Sequence, residues 1–143
     1  MAYVENEAVT VMSDEEAWAL LAQEPLGRLA TTIGDDIEMF PVNYVLDGET
    51  VVFRTAQGSK LFELTVNSRV AFEVDAYAGE GGWSIVVHGD AEVLEDPAEV
   101  ERVEQLPLRP WVPTIKTIYV RIRPRYVSGR RFRFGDEPEA WHL

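Results

Sequence analysis

Residues 53–61 of this 143-residue chain read FRTAQGSKL, and this stretch is the most informative about the fold. An apolar β-type run, Val51–Phe53, ends here, and the chain turns through Gly58. Helical spacing of apolar residues follows and closes near Asn67. The sequence therefore predicts the end of a strand, a tight turn and a short helix.

This strand end combines cations and hydroxyls. Arg54 and Lys60 offer charge-assisted donors, Thr55 and Ser59 offer hydroxyl donors, and backbone N–H groups at a helix start attract anions. One interpretation is a phosphate pocket. The other is that Ser59 caps the helix, Thr55 is only a residue favoured in strands, and the two cations are surface partners of carboxylates.

The rest of the chain predicts a mainly β fold. A capping box, SDEE, begins a helix at Ser13, and Asp96 begins another that ends near Glu104. The Asp47-Gly48 pair predicts a hairpin, and the glycines of residues 79–82 predict a loop. The predicted strands are Arg28–Ile33, Ile37–Leu46, Val51–Phe53, Val70–Asp75, Trp83–Leu94, Ile118–Ile122 and Tyr126–Phe134. This pattern predicts a six- or seven-stranded antiparallel β-barrel in one domain over 1–143, with its core at about 13–133 and a tail over 134–143.

Composition excludes several classes of function. The 25 acidic and 13 basic residues give a net charge of −12, so we expect no nucleic-acid partner. No apolar run is long enough to cross a membrane, and the acidic start lacks a signal-peptide pattern, so we expect a cytoplasmic protein. The chain has no cysteine, and neither His88 nor His142 has a second ligand at metal spacing, so we expect no metal site.

Several segments in order resemble one family. FRTAQGSK is joined by LGRLATT (26–32), FPVNYVLDG (40–48), GWSIVVHGDAEV (82–93) and VSGRR (127–131). Together they resemble the FMN-binding split β-barrel family of pyridoxamine 5′-phosphate oxidase, in particular its small bacterial members related to nitroimidazole-resistance proteins. The resemblance covers about residues 13–133 and implies an FMN-binding split barrel.

The resemblance also implies roles for individual residues. Those that match the positions holding the FMN phosphate are Arg54, Thr55, Ser59 and Lys60. Those that match the strand lining the flavin ring are Pro41, Val42, Asn43 and Tyr44. Trp83 and Ser84 match a strand start that reaches the flavin from the partner subunit, so the resemblance implies a homodimer with shared sites.

Two regions depart from the oxidases that act on vitamin B6. Met39 and Tyr44 stand where those enzymes carry an Arg and a Lys, and the chain ends EPEAWHL where they carry a basic motif. We therefore do not expect vitamin B6 oxidation. Trp111, in the run LPLRPWVP, is either a core plug or an aromatic wall beside the ring, and we favour the wall.

The functional prediction is a flavin-dependent oxidoreductase that reduces a small oxidised substrate. No catalytic side chain is assigned, because the cofactor carries this chemistry. The alternatives are a reductase of the same fold that uses the deazaflavin coenzyme, and a flavin or haem carrier without enzymatic activity. The six arginines of residues 121–133 form either an outward face paired with carboxylates or a second anion contact.

Overall fold

The computed structural model describes residues 8–65 and 69–139, which form seven strands and three short helices. The strands are β1 (Val9–Val11), β2 (Leu26–Ile33), β3 (Asp36–Leu46), β4 (Val51–Thr55), β5 (Arg69–Ala78), β6 (Gly81–Val93) and β7 (Ile118–Arg133). The helices are α1 (Asp14–Leu21), α2 (Lys60–Thr65) and α3 (Pro97–Val103). In this part of the chain, no helix has the length and apolar character needed to span a membrane. The predicted helix end at Asn67 lies outside these residues, and so does His142, which was considered as a metal ligand.

Six strands close into an antiparallel barrel. Their order is β7-β4-β3-β2-β5-β6, and β6 pairs back onto β7. β1 pairs with the C-terminal part of β7, where Val9 lies opposite Phe132. Closure removes exposed strand edges, which a sheet must otherwise protect. The predicted fold class, a six- or seven-stranded antiparallel split barrel, is confirmed.

β7 is one long strand where the sequence predicted two. It pairs first with β4 and, over most of its length, with β6. The register shifts between the pairs His88–Tyr126 and Gly89–Pro124, which leaves Arg125 as an extra residue in a bulge. Proline lacks the N–H that a regular ladder needs, and a bulge tolerates this loss. The prolyl segment therefore bends the strand instead of ending it.

The turn between β5 and β6 is shorter than the predicted loop. Gly79 and Glu80 form it, whereas Gly81 and Gly82 already belong to β6. A Cβ atom on Gly81 would lie 2.3 Å from the carbonyl oxygen of Phe132. Gly81 therefore permits the close approach of β6 to β7, and the prediction that Gly81 and Gly82 form a loop is wrong.

Inward-facing apolar residues fill the barrel. α1 closes one end, where Ala17 and Leu21 join the central cluster and Trp18 packs against it. The predicted cap is confirmed, because Ser13 Oγ accepts a hydrogen bond from the Glu16 N–H at 3.2 Å. The largest fully buried side chains include Leu29, Phe53, Phe72, Ile85 and Ile122.

A second apolar cluster lies on the outside of the barrel. Val52 and Tyr119, from β4 and β7, pack there with Leu94 and Val103. Leu106 and Leu108 of the segment that follows α3 pack against the same cluster. We call residues 106–117 the proline-rich segment. This packing holds it against the outer side of β4 and β7, close to the end of β4.

Candidate functional site

The hydroxyl groups at the end of β4 form a small connected unit. Thr55 Oγ1 and Ser59 Oγ lie 3.0 Å apart, and Ser59 Oγ also accepts a hydrogen bond from the Phe62 N–H at 3.0 Å. Gly58 makes the turn between them with φ of +78°, a conformation that favours glycine. Ser59 is thus a helix cap, and its contact with Thr55 fixes both hydroxyls at one place.

Arg54 directly precedes Thr55 on β4, and its side chain reaches the proline-rich segment. Its Nε donates a hydrogen bond to the Lys116 carbonyl oxygen at 3.0 Å, and its Nη2 donates to the same oxygen. The guanidinium also lies 5.5 Å from the centre of the Tyr119 ring, within cation–π range. Among the side chains that the structure describes, no carboxylate forms an ion pair with Arg54.

Lys60 is placed differently from Arg54. Its Nζ forms an ion pair with Glu38 Oε1 at 2.9 Å, and its side chain is 63% exposed. Exposed pairs of this kind contribute little to stability and exchange readily with solvent. Lys60 therefore lies at the rim of the site with a carboxylate partner of its own.

A cavity of about 90 Å³ is lined by several of the residues predicted for the site. Three of the four predicted ring-lining residues and Arg54 line it, together with three residues of the proline-rich segment. Its lining is Pro41, Val42, Asn43, Arg54, Leu61, Pro110, Val112 and Lys116. Sequence reasoning missed Lys116, Pro110 and Val112, because they lie more than fifty positions after Arg54 and no local motif marks them.

Val42 and Tyr44 present little side chain to this cavity, since both are buried in the barrel. The Tyr44 hydroxyl donates a hydrogen bond to the Leu21 carbonyl oxygen at 2.6 Å. Burial, and to a smaller extent the charge of Glu24, raise the pKa of Tyr44 well above its usual range. Tyr44 is therefore a neutral structural donor, and a ligand on the outer face of β3 would reach it only through its backbone.

Asn43 connects three segments at one point. Its Nδ2 donates to the Pro25 carbonyl oxygen at 3.1 Å, and its Oδ1 accepts from the backbone N–H of Trp111 at 2.8 Å. Asn43 and Trp111 also line a larger cavity of about 460 Å³, together with Glu24 and Arg109. The Trp111 side chain is 62% exposed, so it is not a core plug.

Trp83 and Ser84 lie at the other end of β7 from Arg54. Arg54 faces Tyr119 near the start of β7, whereas Trp83 faces Arg131 near its end. Trp83 lines a separate cavity of about 400 Å³, and Ser84 an adjoining one of about 260 Å³. Within one chain, the two predicted halves of the site do not meet.

Comparison with known proteins fits this architecture. The family model described as pyridoxamine 5′-phosphate oxidase matches residues 13–131. The chain belongs to the pyridoxamine 5′-phosphate oxidase family. The match spans every element from α1 to β7 and nearly coincides with the range over which the sequence resembles this family.

Three relatives of this family member have 36–44% identity to it. An FAD-binding protein from Mycobacterium smegmatis is 40% identical with a TM-score of 0.79, and the match covers 87% of this chain and 99% of that protein. A Corynebacterium glutamicum protein, provisionally described as a pyridoxamine 5′-phosphate oxidase, is 36% identical with a TM-score of 0.84, over 94% and 100% of the two chains. The uncharacterised protein Rv3129 of Mycobacterium tuberculosis is 44% identical over 95 residues, 66% of this chain and 86% of its own.

Most arginines of residues 121–133 in this oxidase-family chain have carboxylate partners. The exposed pairs are Arg123–Glu92, Arg125–Asp90 and Arg131–Glu16. Arg121 is buried and contacts Asp47 and Glu99, both at 2.8 Å. These contacts favour the interpretation of a carboxylate-paired surface over that of a second anion contact.

One carboxylate pair escaped sequence reasoning. Glu73 and Asp75 lie on the outer side of β5, and Nη1 of Arg28 is 3.3 Å from an oxygen of each. Burial, followed by the hydrogen bond and charge of Asp75, raises the pKa of Glu73 to about 7. Neither carboxylate lines the cavity beside Arg54.

His88 stacks on Tyr126, with ring centres 4.4 Å apart and planes 15° from parallel. In the parts of the chain that the structure describes, no group of three His, Cys, Asp or Glu side chains is arranged to hold a metal ion. The stacking contact gives His88 a packing role on the outer face of β6.

Proposed function

We propose that this protein is a flavin-nucleotide-binding oxidoreductase whose phosphate site lies at the end of β4. The observation that carries the proposal is the end of β4, where the linked hydroxyls of Thr55 and Ser59 directly follow Arg54, whose side chain lines a small cavity and has no carboxylate partner among the described side chains. Such a positive site is unusual in a chain with a net charge of −12. The M. smegmatis relative named as FAD-binding, at 40% identity over 87% of this chain, supports a flavin ligand.

The residues present fit a phosphate monoester. Arg54 supplies charge-assisted donors, and the Ser59 hydroxyl, held in place by the buried Thr55 hydroxyl at 3.0 Å, supplies a further donor. Beyond them, the outer edge of β3 at Pro41–Asn43 offers backbone groups and an apolar surface to a planar ring. Trp111 forms an exposed aromatic wall next to Asn43. The protein would thus bind the phosphate, orient the ring and limit its contact with water.

A bound flavin supplies two-electron transfer to or from a small substrate. We take FMN as the expected cofactor, because the proposed contacts recognise a terminal phosphate. FAD is the competing form, since the M. smegmatis relative carries that name. The deazaflavin coenzyme remains the third candidate.

Titration of the purified protein tests the flavin proposal. We expect FMN to bind stoichiometrically at about 1–10 µM or tighter, with quenching of its fluorescence. Riboflavin, which lacks the phosphate, serves as the matched control and should bind at least tenfold more weakly. Binding of the deazaflavin coenzyme alone, with none of FMN or FAD at high micromolar concentration, would contradict the proposal.

Reoxidation of the reduced flavoprotein distinguishes an enzyme from a carrier. We expect small oxidised acceptors to accelerate it in a saturable way, and equal rates with and without acceptor would indicate a carrier. Pyridoxine phosphate is the negative control, since Met39 and Tyr44 stand where, by the sequence resemblance, the enzymes that oxidise it carry an Arg and a Lys.

We further propose that the site is completed in a homodimer. Arg54 and Trp83 lie toward opposite ends of β7, so a cleft that uses both residues needs two chains. Around Trp83, the side chains of Tyr77 and Phe134 are exposed, and apolar surface of this kind often marks an interface. A two-fold axis would bury this surface twice and generate two equivalent clefts.

Sedimentation and subunit mixing test the dimer. The wild type should sediment as a dimer at micromolar concentration. Arg54→Ala and Ser84→Glu should each bind FMN weakly alone, and their heterodimer should regain about one good site of two because one cleft receives both intact halves. A monomer, or no recovery in verified heterodimers, argues against the shared cleft.

A further inference from the structure

The larger cavity, of about 460 Å³, lies outside the proposed phosphate site, since Arg54, Thr55 and Ser59 do not line it. Its walls come from three segments, namely the end of α1 with the residues that follow it, the second half of β3, and the proline-rich segment. Small-molecule sites usually have volumes of about 300–1,000 Å³ and combine apolar walls with a few placed polar groups. The larger cavity therefore has the size of a separate ligand site.

The proline-rich segment separates the larger cavity from the one beside Arg54. Its residues alternate between the two, as side chains do along an extended chain. On the side of the larger cavity lie Pro107, Arg109 and Trp111, and on the other side lie Pro110 and Val112. Asn43 of β3 lines both cavities. A ligand in the larger cavity would therefore be a close neighbour of a flavin bound at the proposed site.

Hydrogen bonds hold the three walls of the larger cavity together. Asn43 donates to the Pro25 carbonyl oxygen at 3.1 Å and accepts from the Trp111 N–H at 2.8 Å. The backbone N–H of Tyr44 donates to the same Pro25 oxygen at 3.2 Å, and the Tyr44 hydroxyl donates to the Leu21 carbonyl oxygen at 2.6 Å. These contacts fix the walls before a ligand arrives, which lowers the entropic cost of binding.

Two side chains of opposite charge line this cavity, Glu24 and Arg109. Among the side chains that the structure describes, neither forms an ion pair, with the other or with a third residue. An arginine presents a planar fork that suits a carboxylate, and a carboxylate accepts charge-assisted hydrogen bonds from an ammonium. The cavity thus offers one partner to each end of a ligand that carries both charges.

The remaining lining favours an aromatic ligand. The Trp111 side chain lies at the wall and is 62% exposed, so its ring is accessible. Val45 and Leu46 of β3 add apolar surface to the same cavity. Aromatic rings pack favourably on one another in offset or edge-on arrangements. A planar ring in the larger cavity would therefore cover Trp111.

We propose that the larger cavity is the substrate site of this flavoprotein and that it takes a small aromatic zwitterion. The carboxylate of the ligand would pair with Arg109, its ammonium group with Glu24, and its ring would pack on Trp111. The role as a substrate site rests on the proposed flavin function, whereas the preference for a zwitterion rests on the residues of the cavity itself.

Three fluorinated probes test the charge preference in the purified, flavin-free protein. 4-Fluorophenylalanine carries both charges, N-acetyl-4-fluorophenylalanine lacks the ammonium group, and 4-fluorophenylalaninamide lacks the carboxylate. In ¹⁹F NMR titrations we expect saturable binding of the zwitterion and about three- to tenfold weaker binding of each analogue. Equal affinities for the three probes, or no saturable binding of the zwitterion, overturn the proposal.

Substitutions assign each charge to its residue. Arg109→Gln should weaken binding of the zwitterion about three- to tenfold and leave the amide within twofold, because the amide has no carboxylate to lose. Glu24→Gln should weaken the zwitterion to the same degree and leave the N-acetyl probe within twofold. Arg123→Gln is the matched control, since it removes an exposed arginine of β7 that does not line the cavity. No loss in Arg109→Gln, or equal losses for all three probes, contradicts the assignment.

Addition of FMN tests the role as a substrate site. We expect 4-fluorophenylalanine to bind the FMN-loaded protein within threefold of its affinity for the flavin-free protein. It should also shift the visible absorption of the bound FMN with the same saturation, because the two sites adjoin at Asn43. If FMN displaces the probe, the cavity belongs to the cofactor and the proposal is overturned. Binding without a change in the flavin spectrum also overturns the substrate role.

The two proposals can fail separately. If the probes bind with the expected charge preference but no flavin binds, the zwitterion site stands, and the flavin function falls together with the substrate role. If FMN binds and the zwitterion does not, the flavin function stands and the zwitterion site falls.

Discussion

We expect Arg121→Met to lower the free energy of unfolding by about 2–4 kcal/mol in urea denaturation at neutral pH. Arg121 is 3% exposed and joins Asp47 of the β3–β4 hairpin to Glu99 of α3, so its loss leaves both carboxylates without this partner. Removing one partner of a buried ion pair costs about 3–5 kcal/mol. We expect a somewhat smaller value, because Asp47 keeps its ion pair with Arg102 and both carboxylates reach solvent in part.

Arg125→Met is the matched control for this substitution. It removes an arginine from the same strand, but the Arg125–Asp90 pair is exposed, so the loss of stability should be much smaller than for Arg121→Met. Hydrogen bonds from Arg102, and then from Arg121, lower the pKa of Asp47 to about 2. Its carboxylate therefore stabilises the fold above about pH 4, and this contribution is lost as the pH falls toward 2. The difference in free energy of unfolding between wild type and Arg121→Met should therefore narrow as the pH falls from about 4 to 2. At neutral pH, equal losses of stability in Arg121→Met and Arg125→Met would show that the burial of Arg121 is unimportant.

The sequence predicted the barrel well because most strands carry their own signals. β5 alternates the buried Val70, Phe72 and Val74 with more exposed residues, and the Asp47-Gly48 hairpin has the expected positive φ at Gly48. β1 was missed, since three residues give too short a pattern to detect and its pairing with Phe132 is a long-range contact. The bulge at Arg125 was interpreted as a strand end, because a proline stops a regular ladder but not a bulged one.

Prediction of the candidate site was limited to what a local motif can encode. FRTAQGSK brings Thr55 and Ser59 together because they lie within one strand end and its turn. The Lys116 carbonyl oxygen reaches Arg54 only because the proline-rich segment packs on the outer cluster, and no sequence spacing encodes that contact. The pairing of Lys60 with Glu38 is equally non-local.

The orientation of the side chains on β3 could have been predicted from the sequence. Side chains alternate along a strand, so the apolar series at Phe40, Val42, Tyr44 and Leu46 already indicates the inner face. The resemblance assigned four consecutive residues to the ring. Their alternation leaves Pro41 and Asn43 as the two that can present side chains to a ligand outside the barrel.

Arg54→Ala should weaken FMN binding about 10- to 100-fold in fluorescence titration. Charge-assisted hydrogen bonds contribute about 1.5–3 kcal/mol each, and the proposed phosphate site would lose its most buried cation. Riboflavin carries no phosphate, so its weak binding to wild type should barely change in the variant. The ratio of the two affinities therefore isolates the phosphate contact from any change in the ring site.

Arg54 also holds the Lys116 carbonyl oxygen and contacts Tyr119, so its loss affects the proline-rich segment as well. Arg54→Lys separates the two roles, because lysine retains the charge but lacks the planar fork that reaches the carbonyl and the ring together. We expect this variant to recover part of the FMN affinity. If Arg54→Ala weakens FMN and riboflavin by the same factor, Arg54 acts through the segment and not through the phosphate. Unfolding curves for the three proteins then decide whether the segment or the whole barrel has been disturbed.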